Sequence, residues 1–426
     1  MRRERRQKGT RLRFAGALFG LVLVLAVAPA PAGASPRVLY GVQDDSWLVG
    51  GRGDLSDRLS ELRSLGVEAY RFTLRWDEVE ANPGEYDWSW PDDVIRGLRA
   101  HGIAPVVTIW GAPPWANGWR APNYAPSQAS SLASFARAAA TRYRAQVRHW
   151  VVWNEPNQRR WLRPTTPRAY VKLLNAAYAA IKRADPSSAV AGGVTAPRGN
   201  VGGVNPVDWI RAMRRYRAKL DAYAHHPYPA HPLETPWSGG CAWCKTITMA
   251  DLDRLVREVR RNFPRKRIWL TEYGYQTNPP ERWMGVTFER QALYASAAAL
   301  RAYRTPLVDL LIHFMIQDDA RLAGWQSGLR TLGGAAKPAY DAFKLPVAQV
   351  SRSGARTVVW GQVRPRSGPQ PYRLQQWRNG AWRWVGPRRF TSPRGFFQRS
   401  VRAWPGIQLR VWSPRDRLVS PPLTVR

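Results

Sequence analysis

The chain predicts an α/β fold, a (β/α)8 TIM barrel followed by a small C-terminal all-β sandwich domain. Three observations predict it. Residues 37–345 alternate short apolar β-type runs with longer helical patterns, as βα units around a parallel sheet do. Eight such runs fit the size of one barrel. After residue 345 helical periodicity stops, and short β runs broken by Gly and Pro take over.

In chain order, the first segment reads as a secretory signal. Arg2, Arg3, Arg5, Arg6, Lys8, Arg11 and Arg13 form a basic n-region. An apolar run at 14–28 follows, and Ala32-Gly33-Ala34 supplies small residues for cleavage after Ala34. The run is short for a bilayer span, and no second long apolar stretch exists. The expected domains are therefore a signal peptide at 1–34, a barrel at 35–346 and a β-sandwich at 347–426. The expected location is secreted or extracellular, with no membrane span after cleavage. An uncleaved leader would instead anchor the chain.

The strand candidates are 38–42, 69–73, 104–109, 148–152, 189–192, 222–225, 267–270 and 307–314. Amphipathic stretches at 55–65, 129–144, 167–183, 252–262 and 290–303 supply intervening helices. The segment 348–355 reads as a short linker. Beyond it, runs at 372–377 and 381–385 flank Arg378-Asn379-Gly380, an Asn-Gly hairpin turn. Runs at 396–401, 408–412 and 423–425 continue the β pattern. Trp360, Trp377, Trp382, Trp384, Trp404 and Trp412 lie in this part, as core residues or as a platform for stacking sugars.

The formal net charge of +35 is almost all arginine. Its dispersion through helices and strands argues against a dedicated nucleic-acid face; it leaves either an arginine-rich coding bias or affinity for an anionic cell-envelope polymer. Cys241 and Cys244 read as a loop disulfide outside the cell. With His225, His226 and His231 nearby, zinc is the alternative for that stretch.

Two glutamates carry the chemistry. Glu155 lies in Asn154-Glu155-Pro156 after the fourth strand run, and Glu272 in Thr271-Glu272-Tyr273 after the seventh. The C-terminal ends of barrel strands are where such folds keep function, and paired carboxylates across a sugar are what glycosidic cleavage needs. At these positions the chain resembles the clan A glycoside hydrolases, in particular the cellulase-like family 5 and the family 39 type, over most of residues 37–345. The resemblance implies a metal- and cofactor-independent retaining β-glycosidase. In it Glu155 is acid and base, and Glu272 is the nucleophile. It further implies that Arg71 keeps Glu272 ionised, that Asn154 binds a sugar 2-hydroxyl, that Tyr228 donates to Glu272, and that His226 orients the pair or contacts Glu155. His225 is expected to be structural. Trp76…Glu80 and Gly84-x-Tyr86-x-Trp88 also resemble the clan's loop after strand two.

Two positions depart from family 5. Thr108-Ile109-Trp110 stands where a histidine is usual, and His313-Phe314-Met315-Ile316-Gln317 where many members have a tryptophan. Phe314 or Gln317 is the expected replacement. Trp110, Trp115, Trp119, Trp161, Trp237, Trp283 and Trp325 fall near βα loops, Trp110 being the first choice for sugar stacking. The expected partner is a carbohydrate substrate, without specific nucleic acid, and a monomer is expected. The competing reading is a catalytically inactive barrel that binds carbohydrate or envelope polymer.

Overall fold

The computed structural model describes residues 35–426 apart from 36, 201, 365 and 366, so the expected leader at 1–34 lies outside the described residues. Eight parallel strands close into a barrel in chain order: β1 (Leu39–Gln43), β2 (Ala69–Arg75), β3 (Ala104–Trp110), β4 (His149–Val152), β5 (Ala189–Thr195), β6 (Ala222–His225), β7 (Arg267–Tyr273) and β8 (Val308–Phe314). β8 pairs with β1 to complete the ring. Each strand starts within one residue of its expected run, but several continue up to three residues further. There, side chains such as Arg75, Thr195 and Glu272 end the apolar pattern while the strand continues. Glu272 therefore lies within β7 rather than after it.

Alternation sorts the side chains into two layers. Ala69, Val106, Val151, Ala222, Trp269 and Leu310 fill the barrel interior, while Tyr70, Val107, Trp150, Tyr223 and Ile268 pack outward under the helices. The helices form for local reasons. Leu55–Leu65 opens on a capping box between Asp54 and Asp57 and ends at Gly66 in the left-handed region (φ 76°). Leu252–Asn262 buries Leu252, Leu255, Val256 and Val259, a single stripe at helical spacing.

The helix Pro338–Lys344 leads directly into β9 (Val347–Ser353), so the expected linker at 348–355 is mostly strand. Its outer half is polar and exposed, which hid the alternation. β10 (Arg356–Gln362), β11 (Pro371–Arg378), β12 (Ala381–Phe390), β13 (Phe396–Arg402), β14 (Gln408–Ser413), β15 (Leu418–Val419) and β16 (Leu423–Thr424) complete two antiparallel sheets. These are β13-β10-β9 and β12-β11-β14-β15, with β16 also on β14. The β11–β12 turn has Asn379 and Gly380 at φ 49° and 73°, the geometry Asn-Gly favours. Between the sheets Tyr372 stacks on Phe397 at 4.2 Å, over Val359, Leu374, Leu409 and Val411.

These sheets dock at the N-terminal end of the barrel. Trp360 packs on Tyr303 (5.4 Å) and Phe396. Arg394 donates to Val38 O at 3.0 Å, beside the start of β1. Arg364 lies 4.0 Å over the Tyr40 ring and 4.7 Å from Phe343, and donates to Phe343 O and Gln362 Oε1. A Cβ on Gly66 would come within 2.5 Å of the Arg364 backbone. Burial pushes the Arg364 guanidinium down to about 10, so it still carries its charge at neutral pH. No helix among the described residues is long and apolar enough to cross a membrane. Arg364→Ala strips this junction of its stacked cation and should cost about 2–4 kcal/mol in chemical denaturation; a loss below about 0.5 kcal/mol would mean the docking does not depend on it.

Candidate active site

Arg71 is the central group at the C-terminal mouth. It shares the inward parity of Ala69 on β2, while Tyr70 and Phe72 point outward. It is 1% exposed, so every N–H must find a protein acceptor. Nε donates to Thr108 Oγ1 on β3 (2.9 Å), and Nη2 to Asn154 Oδ1 after β4 (2.8 Å). Nη1 donates to Gln43 Oε1 on β1, to Glu272 Oε1 on β7, and more weakly to Thr271 O (3.3 Å).

Glu272 reaches this network through an irregularity. Trp269 faces the interior, and strict alternation would send position 272 outward. Leu270 pairs with Leu311 but Tyr273 with His313, so β7 carries one extra residue there. A bulge of this kind re-aims the side chains that follow it, and here it turns Glu272 into the mouth. Its second oxygen accepts from the Tyr228 hydroxyl at 3.0 Å and lies 3.5 Å from His226 Nδ1. The same His226 nitrogen is 2.9 Å from Glu155 Oε1, so one fully buried ring stands between the two carboxylates.

Glu155 leaves β4 through Trp153 (φ 72°) and has φ 37° itself. Left-handed backbone at such residues costs about 1–3 kcal/mol each and persists only where the surroundings impose it. Here Trp153 is fully buried and gives Nε1 to Trp161 O (2.7 Å), while Asn157 bonds Ala196 N and Val204 O. The donor atoms of Glu155, His226 and Glu272 all lie within 4.8 Å of one another. Such a trio could hold a cation, but both Glu272 oxygens are already engaged, one of them by a guanidinium. The set therefore reads as a carboxylate pair braced by one guanidinium. Burial raises the Glu272 carboxyl, yet the charges of His226 and Arg71 and the bonds from Arg71 and Tyr228 outweigh it and hold it below the usual range.

A cavity of about 1490 Å³ opens over the pair. Asn154, Tyr228, Trp110 and Phe314 line it with the two glutamates, whereas Arg71 and His226 lie beneath its floor. Asn154 Oδ1 is held by Arg71, so its amide N–H₂ is the donor it presents. Trp110 is wedged against Trp161 (5.5 Å) under Arg75 (4.9 Å). Phe314 stands edge-on to Trp325, which stacks on Tyr228 at 4.5 Å. Trp325 and Trp161 also line the cavity, but Gln317 donates to Leu332 O and is not part of the lining. Of the remaining loop tryptophans, Trp115 is packed against Trp76, and Trp119, Trp237 and Trp283 lie outside the cavity wall. Trp76, Glu80 and the Tyr86–Trp88 pair brace their loop, with Trp76 Nε1 bonded to Glu80 at 2.7 Å.

His225 is bonded to Thr195 Oγ1 (2.8 Å) and Ile247 O (2.9 Å), and burial lowers its pKa to about 3. Cys241 and Cys244 are bonded to each other, which removes the thiolates a zinc site in that stretch would need. Three participants escaped the sequence: Gln43, Thr108 as an acceptor for Arg71, and Arg198, whose Nη2 donates to Pro229 O at the cavity wall. The polar run Gln43-Asp44-Asp45 closing the first strand was the available signal.

No protein-family model matches the chain. Among curated proteins it is 28% identical to β-glucosidase 40 of Arabidopsis thaliana over 106 residues, which is 22% of this chain and 20% of that protein. It is 27% identical to raucaffricine-O-β-D-glucosidase of Rauvolfia serpentina over 103 residues, 22% of this chain and 19% of that one. The chain thus spans about a fifth of the length of these relatives. Solved structures match far more of it. A family 39 glycoside hydrolase from Bacteroides cellulosilyticus WH2 superposes with a TM-score of 0.62 at 18% identity, covering 85% of this chain and 78% of that one. A GH39 β-xylosidase from Caulobacter crescentus gives 0.55 at 19% identity, covering 81% and 83%. The fold is that of family 39 glycoside hydrolases.

Glu272 should titrate below the ordinary carboxylate range when followed by NMR of carboxyl-labelled glutamate. Arg71→Met should raise its pKa, because the guanidinium is one of the groups that holds it down. Because the folded value is depressed, its contribution to stability is present above the ordinary carboxylate range and lost as pH falls through the lowered value. An unchanged Glu272 titration in Arg71→Met would contradict this account of the site.

Proposed function

We propose that this chain is a retaining glycoside hydrolase, cleaving O-glycosidic bonds of β-linked oligo- or polysaccharides with Glu272 as nucleophile and Glu155 as acid and base. The observation that carries the reading is the spacing of the pair. Retaining enzymes hold their carboxyl groups about 5–5.5 Å apart, whereas inverting ones leave about 6.5–9.5 Å for a water. One oxygen of Glu155 lies within 4.8 Å of one oxygen of Glu272, a closeness that favours the first geometry.

The steps follow from the contacts. Glu155 gives its proton to the departing glycosidic oxygen while a Glu272 oxygen attacks the anomeric carbon. One C–O bond breaks and a glycosyl ester forms. Water then enters, Glu155 takes its proton, and the ester opens with the original configuration restored. Arg71 keeps Glu272 ionised before attack, and Tyr228 fixes the carboxylate plane. The Asn154 amide donates to the sugar 2-hydroxyl, a bond that strengthens as positive charge builds on the ring. The β-glucosidase and β-xylosidase names of the similar proteins support β-linked substrates. A cavity of about 1490 Å³ exceeds the usual 300–1,000 Å³ of small-ligand pockets and supports a chain of sugars.

The reading includes export, supported by the basic, apolar and small-residue succession of 1–34. Mass spectrometry of protein recovered from the culture medium should find the mature chain beginning at Ser35. Recovery only inside the cell would overturn this part alone.

The decisive experiment is hydrolysis of aryl β-glycosides, β-glucans, xylans and mannans, with the product anomer followed by NMR. Wild type should release product with retained configuration. Glu272→Ala should lose at least about 10³-fold in kcat. Added azide should restore turnover by attacking from the vacated side, giving a glycosyl azide of inverted configuration. Wild-type activity in Glu272→Ala, or an inverted wild-type product, would sink the mechanism.

A further inference from the structure

The outer face of the β12-β11-β14 sheet carries an ordered array that the barrel chemistry does not use. Trp382 pairs with Trp377, Trp384 with Gln375, Gln375 with Arg410, and Arg373 with Trp412. Directly opposed residues in antiparallel strands share a face, so four tryptophans and two arginines stand on one side of the sheet. The sandwich core lies on the other, where Leu374, Leu409 and Val411 are buried. Trp377 and Trp384 are 41% and 44% exposed.

The array is mutually braced. Trp377 meets Trp382, and Trp384 meets Trp412, each at 5.3 Å between ring centroids. Arg410 lies 4.2 Å over Trp382, and Arg373 lies 4.6 Å over Trp384. Each guanidinium spends Nε inside the sheet: Arg410 on Gln375 Oε1 (2.7 Å), Arg373 on Gly386 O (2.9 Å). The terminal nitrogens then form a flat, pre-ordered fork, the shape that matches a carboxylate.

The surrounding charge points the same way. Residues 347–426 contain sixteen arginines, no lysine and one acidic side chain, Asp416. An arginine-rich composition accounts for that number, but not for the interleaving of arginine with tryptophan in register across three strands.

We propose that this face binds an acidic polysaccharide, a chain of pyranoses bearing carboxylates on the ring. The apolar faces of the sugars lie on exposed indole surface, and the carboxylates meet the forks of Arg373 and Arg410. A ring-borne carboxylate sits at the edge of the stacked sugar, which suits guanidinium groups held within 5 Å of the indole centroids. Preference for a glycan over single-stranded nucleic acid, which also takes aromatic and cationic groups, rests on the glycosidase reading of the barrel. The sheets dock at the N-terminal end of the barrel, so this face is an attachment site separate from the catalytic mouth. Attachment raises the local concentration of polymer at a mouth left open.

The test is binding of the full mature chain to immobilised polygalacturonate, beside the same polymer methyl-esterified to remove its charge, at physiological salt. Wild type should bind the acid form and not the ester. Trp382→Ala/Trp384→Ala and Arg373→Gln/Arg410→Gln should each weaken binding by about tenfold or more. A charge-matched control on the other sheet, Arg352→Gln/Arg356→Gln, should change it by less than about twofold. Trp384→Phe keeps a ring and most of the affinity, so the test survives if the double tryptophan variant fails to fold. Equal weakening by the control pair, equal binding of the ester, or tighter binding of oligothymidylate than of polygalacturonate would overturn the proposal. Aryl-glycoside hydrolysis separates the two readings. Binding that needs these tryptophans in a chain without hydrolytic activity defeats the barrel mechanism and leaves the site standing; hydrolysis without binding does the reverse.

Discussion

The guanidinium of Arg71 ties four strands of the barrel to one carboxylate. Its partners come from β1, β3, β7 and the residue two beyond β4, so its position is fixed by the closure of the barrel itself. An isolated cation buried this deeply would be prohibitively unstable, and so would an isolated Glu272; each is tolerable only beside the other. The site is therefore not appended to the scaffold. The hydrogen bonds that satisfy a buried charge are the same ones that set the distance between strands at the mouth.

The two ends of the barrel solve different problems. At the N-terminal end Arg364, Trp360 and Tyr303 join the β-sandwich to the barrel through packed rings and a buried cation. At the C-terminal end, loops brace each other across the opening. Asp44 after β1 accepts from the backbone of Ile316 and Gln317 after β8 (3.1 and 3.0 Å). Burial raises the Asp44 carboxyl to about 6, so these N–H bonds to the loop weaken as acid protonates it.

Much of this was legible in the sequence because it follows from periodicity. Eight apolar runs at βα spacing give the closed sheet; Arg71 was named by the resemblance, and its inward parity with Ala69 is what puts it in the mouth. What stayed hidden depends on departures from period. Glu272 points inward only because β7 carries one extra residue, and no pattern of hydrophobicity announces a bulge. Gln43 and Thr108 are polar residues whose value comes from an arginine on the strand next to each. The tryptophans separate on the same principle. Trp110 is placed by a strand end and lines the cavity, whereas Trp119 and Trp283 sit on loops whose course a single sequence leaves open, and the structure exposes them.

On the proposed mechanism, the division of labour between the two glutamates follows from their unequal surroundings rather than from their order in the chain. Two carboxylates this close repel one another when both are charged, so the site must favour the ionised form of one over the other. Arg71 and Tyr228 serve Glu272 alone, one on each oxygen. Glu155 shares His226 with it, at the end of a backbone turn held in left-handed geometry, and faces the cavity through which leaving group and water would pass. A nucleophile needs a fixed negative charge and a rigid approach. An acid that becomes a base needs access to both departing oxygen and incoming water. The environment meets the first requirement at Glu272 and the second at Glu155, and exchanging the roles would leave the guanidinium opposing the proton transfer it should assist.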